Sequence, residues 1–176
     1  MKKVLVIDDT NFQREAAAAQ LTGKVELKIV GNFREAEGAI MKNSYDYVLT
    51  DLMMPAEDIG GTPEAKKEVG NPTPYGFPIA MLALKHGAKK VAIVSNGQYD
   101  ANHHTHPVFG ACDYLTGRIT DQLFVFAGYN CPTMNKKDLP GVEKPWNFKD
   151  WGFVFSCLED GEYKEKLEED DEEILL

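Results

Sequence analysis

The chain has 176 residues, 43% of them apolar and 27% charged, with a net charge of −9. That balance fits one soluble domain with a sizeable core. No apolar run approaches the ~20 residues of a membrane span, and the run Val4 to Ile7 is too short for a signal peptide.

The charge is uneven. From Glu159 to Glu173, ten acidic residues stand against two lysines, while the rest of the chain holds 18 acidic and 17 basic residues. No basic patch stands out, so nucleic acid is not an expected partner. The reading is one α/β domain over residues 1–158 and an acidic tail over 159–176. Cys112, Cys131 and Cys157 are few, odd in number and widely spaced. They suit a reducing cytoplasm and form no CxxC zinc or redox pair.

Strand and helix patterns alternate from the start. Val4 to Ile7 reads as a buried strand. Asp9, Thr10 and Asn11 offer helix caps, and Phe12 to Leu21, with its run of alanines, favours helix up to a stop at Gly23. Val25, Leu27 and Ile29 alternate with polar residues as a second strand. Asn32 is placed to cap a helix over Phe33 to Lys42. A third strand, Tyr45 to Thr50, runs straight into Asp51.

Residues 55–74 then read as a long loop with several prolines and a glycine pair. Loops of that length inside a domain are usually functional or mobile. A helix is expected from Gly76 to His86, with Gly87 as its stop, and a fourth strand over Lys90 to Val94, ending at Ser95. A polar stretch follows, then a fifth strand from Leu123 to Ala127. A second irregular connection leads to a last helix over Phe148 to Leu158, with Trp151, Val154, Phe155 and Leu158 on one stripe.

Alternating strands and helices imply a parallel sheet covered on both faces. The working site of such a sheet lies beyond the carboxyl ends of its strands. Asp8 and Asp9, Asp51, and Ser95 stand at those ends. Clustered carboxylates repel one another unless a cation neutralises them. Mg²⁺ suits a site with few carboxylates, several waters and a phosphate.

The segments Val4 to Asp9 (VLVIDD), Tyr47 to Pro55 (YVLTDLMMP), the helix opening at Gly76, and Val91 to Ser95 (VAIVS) together resemble a response-regulator receiver domain. The likeness covers most of residues 1–95. It implies a doubly wound five-stranded parallel sheet in the flavodoxin-like order 2-1-3-4-5, with helices on both faces. It also implies that Asp51 is the phosphoryl acceptor. Asp8, Asp9 and Asp51 would then hold Mg²⁺ or Mn²⁺ with the backbone carbonyl of Met53, and Ser95 would hydrogen-bond the phosphoryl group. The partners implied are a histidine kinase or phosphotransfer protein and a downstream protein. Such a domain is cytoplasmic and is a phosphoacceptor rather than an enzyme proper.

The chain departs from that family in two places. Residues 56–77 insert a proline-rich stretch beside the acceptor, and no lysine follows the fifth strand directly. Lys144, before Pro145, is the candidate for the missing ammonium, with Lys136 and Lys137 as substitutes. Two rival readings stand beside this one. A receiver-like module that has lost phosphotransfer fits the departures. A phosphatase of haloacid-dehalogenase type fits Lys89 to Gly97 (KKVAIVSNG) but wants DxD after the first strand. The same acidic pair also suits a plain helix cap, and Ser95 a plain turn. His103, His104 and His106 fit a solvated loop, a metal site, or a reach towards the phosphoryl edge.

Overall fold

The computed structural model describes residues 1–95, 111, 114, 120–127 and 148–160. Its elements in chain order are β1 (Lys3–Ile7), α1 (Asn11–Leu21), β2 (Glu26–Val30), α2 (Phe33–Lys42) and β3 (Tyr47–Asp51). Then come β4 (Met54–Pro55), α3 (Pro63–Lys66), β5 (Pro72–Thr73), α4 (Gly76–Lys85), β6 (Lys90–Ser95), β7 (Leu123–Ala127) and α5 (Trp151–Asp160).

Five strands form one parallel sheet in the order β2-β1-β3-β6-β7. Counting only those strands, this is the flavodoxin-like order 2-1-3-4-5 expected from the sequence, shared by flavodoxins and chemotaxis regulators. The central strands read as near-continuous apolar runs because both faces are covered. Val4, Leu5, Val6 and Ile7 are all fully buried. Edge strand β2 keeps the alternation of a half-solvated strand, with Glu26 and Lys28 exposed.

The pleat sorts side chains into two cores. Leu5, Ile7, Val48, Val91 and Ile93 pack with Ala36, Ile40, Ile79 and Ala83 of α2 and α4. Val4, Val6, Tyr47, Leu49, Ala92 and Val94 pack with Ala16, Ala17 and Leu21 of α1 and with Trp151, Val154 and Leu158 of α5. The sheet is thus doubly wound. Small alanines on α1 let it approach the strands closely, and the large Trp151 fills the space beside it.

Local signals set the helix boundaries. The Asn32 side chain accepts a hydrogen bond from Glu35 N–H and caps α2, as its position predicts. Gly23 and Gly87 end α1 and α4 at φ +80° and +85°, where other residues are strained. At the start of α1 the outcome differs from the plain cap: Thr10 is the N-cap residue but its side chain makes no capping bond. Asp8 instead accepts from Thr10 N–H at 2.9 Å. The last helix begins at Trp151 rather than Phe148, because Asp150 accepts from Phe153 N–H at 2.9 Å and caps it there.

The stretch over residues 55–74, expected as a loop, carries structure of its own. β4 and β5 pair antiparallel, Met54 with Thr73 and Pro55 with Pro72, and α3 lies between them. Glu57 fastens this insertion to α2, accepting from Phe33 N–H at 2.6 Å and Arg34 N–H at 3.3 Å. Tyr75 stacks on Phe33 with ring centroids 4.6 Å apart.

Candidate functional site

Asp8 and Asp51 continue the pleat rows that face α1 and α5. Asp8 follows Val4 and Val6, and Asp51 follows Tyr47 and Leu49, two rows of that core. Both carboxylates therefore project towards the α1/α5 side as their strands end. Asp9, leaving the strand, is half-buried beside them. Carboxylate oxygens of Asp8, Asp9 and Asp51 lie within 4.8 Å of one another.

A lysine neutralises part of this cluster, and it is Lys149. Its Nζ lies 2.6 Å from Asp8 Oδ2 and 2.7 Å from Asp51 Oδ1, with the side chain only 3% exposed. The same ammonium sits 5.3 Å from the centre of the Trp151 ring, within cation–π range. Lys149 comes from the segment that feeds α5, two residues before that helix. Lys144, Lys136 and Lys137, the lysines singled out from the sequence, lie outside the described residues. The signal for Lys149 was present in the pleat. Asp8 and Asp51 point to the α1/α5 side, so their partner enters with α5, and Lys149 is the lysine just ahead of Trp151.

The backbone around the acidic pair is held in place. Arg14 Nη1 donates to the carbonyls of Asp8 at 2.8 Å and Asp9 at 2.6 Å. Asp51 Oδ1 accepts from Leu52 N–H at 2.8 Å. Both of these Asp51 contacts, from Leu52 and from Lys149, fall on Oδ1. Gly76 packs against the same corner, and a Cβ there would lie 2.2 Å from the Asp51 carbonyl oxygen. Only glycine permits that approach.

Electrostatics follow from burial and crowding. Burial pushes the Asp51 carboxyl up to about 7; Asp8 and Asp9 add to the rise while Lys149 opposes it. Asp9 is raised as well, by burial first and by Asp8 second. At Lys149 burial favours loss of the proton, but attraction to Asp51 and Asp8 prevails and holds the ammonium above its ordinary value. Three carboxylates against one ammonium leave two negative charges when all are ionised. The described residues thus offer an acidic oxygen cluster suited to a divalent metal.

Ser95 ends β6 one register step past Val94, the partner of Asp51. It is 1% exposed, and among the described residues its Oγ is the buried side-chain oxygen or nitrogen without a hydrogen-bond partner. Such a group costs free energy unless something else satisfies it. Met53 is buried in the core on the α2/α4 side. His103, His104, His106, Cys112 and Cys131 lie outside the described residues. Cys157 is half-buried on α5.

No protein-family model matches the chain, and no curated protein matches it. Among solved structures it is similar to the response regulator TrrA of Thermotoga maritima, in complex with Mg²⁺-BeF. Identity is 20% and the TM-score 0.46, over 72% of this chain and 86% of that one. It is also similar to a de novo designed Rossmann 2x3 fold protein, at 15% identity and TM-score 0.45, over 92% of each chain. No helix among the described residues is long and apolar enough to cross a membrane.

Proposed function

We propose that this chain is a receiver-type signalling domain that accepts a phosphoryl group on Asp51. The observation that carries the reading is the Lys149 ammonium, 2.6 Å from Asp8 and 2.7 Å from Asp51, in a pocket of three carboxylates. That ammonium supplies the cation whose absence after the fifth strand favours a module without phosphotransfer.

The residues suit Mg²⁺, which prefers hard oxygen donors, few carboxylates and a phosphate. Asp9, Asp8 and the Met53 carbonyl would hold it. When bound it offsets negative charge on the phosphoryl oxygens. Asp51 Oδ2, which takes neither contact made by Oδ1, attacks the phosphorus of a phosphohistidine on a kinase or phosphotransfer protein. The new O–P bond forms as the P–N bond breaks. The imidazole keeps the electron pair and takes a proton from water. Lys149 then pairs with the phosphoryl oxygens, and the Ser95 hydroxyl donates to one of them. The added charge of about −1.5 to −2 draws these groups inward and changes a partner surface.

Acetyl phosphate with Mg²⁺ and intact-mass spectrometry test this. The wild-type chain gains one phosphoryl group and Asp51→Asn gains none. Lack of an adduct on the wild type, or an adduct that survives Asp51→Asn, refutes the proposal. Steady release of p-nitrophenol from p-nitrophenyl phosphate would support a phosphatase instead.

A further inference from the structure

We propose that Gln13 and Gln20 of α1 are positioning residues that set the Lys149 ammonium between Asp8 and Asp51, a role that rests on the phosphoryl-acceptor reading above. The starting point is an anomaly in the helix. The inward stripe of α1 runs Gln13, Ala16, Ala17, then Gln20 and Leu21, at the i, i+3, i+4, i+7 spacing of a buried face. A glutamine at its head is only 3% exposed. A buried amide is costly unless its hydrogen bonds are made.

The amide oxygen of Gln13 and both ends of the Gln20 amide meet the backbone around Lys149. Gln13 Oε1 accepts from Lys149 N–H at 2.9 Å. Gln20 Nε2 donates to the Lys149 carbonyl at 3.0 Å, and its Oε1 accepts from Gly152 N–H at 2.7 Å. Trp151 Nε1 closes the frame by donating to the Gln13 carbonyl at 3.2 Å. Both main-chain polar groups of Lys149 thus end on glutamine side chains two helical turns apart.

This frame fixes register. Lysine has a long, flexible stem, so its backbone must be placed before its ammonium is. A slip of one residue would bring Asp150 to the acidic cluster, carboxylate against carboxylate, and would remove the cap that Asp150 gives α5. Lys149 sits at a single β-bridge outside the named strands, and the side-chain amides of α1 add to that hold from the helix side. The glutamine amides meet the main chain of Lys149 and Gly152, so they act through Lys149.

The test uses the full chain and its variants Gln13→Met and Gln20→Met, which keep length but remove the amide. Thermal melts check folding, and half-buried Gln20 provides a variant should Gln13→Met fail to fold. In both variants the amides of Lys149 and Gly152 exchange faster with solvent. Acetic anhydride modifies Lys149 about tenfold more than in the wild type, with exposed Lys89 as reference, and uptake from acetyl phosphate slows about tenfold, the cost of a misplaced catalytic group. Mg²⁺ half-saturation stays unchanged. In a Lys149→Met background neither substitution slows uptake further, the signature of two residues acting as one. Wild-type protection of Lys149 in both variants, or an equal loss of uptake in the Lys149→Met background, overturns the proposal. If the wild type takes up no phosphoryl group, the acceptor reading fails, and the exchange and acetylation data still decide whether the glutamines place Lys149.

Discussion

Ser95 separates what stabilises this protein from what would make it work. Its buried hydroxyl has no partner among the described residues. Ser95→Ala therefore removes a desolvation cost, and the chain gains about 1 kcal/mol in urea unfolding. Retention of the phosphoryl group falls at the same time. A Ser95→Ala chain that loses stability would mean that the hydroxyl is already satisfied. Asp51 shows the same opposition through pH. Its carboxyl is held near 7, above the ordinary 3.8, mainly by burial. The native state then binds the proton more tightly than the unfolded chain. That contribution is complete below about 4 and is lost as pH rises through about 7. In metal-free buffer Asp51→Asn is accordingly more stable than wild type above pH 7, and the gap closes towards pH 4. A constant gap in urea midpoints across that range would contradict the assignment. Mg²⁺ narrows the gap by favouring the ionised form.

At the scale of elements, most of the chain could be read from periodicity and punctuation. Tyr47 to Asp51, Phe33 to Lys42 and Leu123 to Ala127 have local signals that agree with their surroundings. Residues 55–74 were read as plain loop because prolines and glycines mask a two-residue strand pair, whose partners lie far apart in sequence. Lys149 was missed for a related reason. The family likeness directs attention to the exit of the fifth strand, whereas pleat parity at Asp8 and Asp51 directs it to the start of α5. The tight corner at Gly76 offers a direct check. Gly76→Ala forces a methyl group to 2.2 Å from the Asp51 carbonyl oxygen. The backbone must move, at about 1–3 kcal/mol, and phosphoryl uptake slows with it. Melting unchanged from wild type would show that the corner has more room.

Over the whole molecule, the sheet divides labour between its faces. The α1/α5 side holds Asp8, Asp51 and Lys149, while the α2/α4 side carries the insertion through Glu57 and Tyr75. A parallel sheet covered on both faces was legible from the alternation of elements, while the strand order came with the family likeness. Which face the charged groups share depends on one-residue parity at the strand ends, and that becomes clear only once the register is known. Replacing residues 57–70 with a short turn leaves the sheet and Lys149 in place. Uptake from acetyl phosphate persists, while α2 loses the Glu57 contacts at its first turn and frays, as amide exchange at Phe33 and Arg34 would show. Loss of uptake on that excision would assign the insertion to the site itself.

The short ladder of Met54 with Thr73 also makes residues 56–71 a natural grafting point. Its two ends are already fastened together, so a guest peptide or fluorophore-binding sequence spliced there inherits a closed base and adds little chain-closure entropy. Because the base adjoins the Asp51 corner through Gly76, such a guest would sit where a change in the pocket is felt first, and the molecule would serve as a scaffold for an optical reporter of phosphate chemistry.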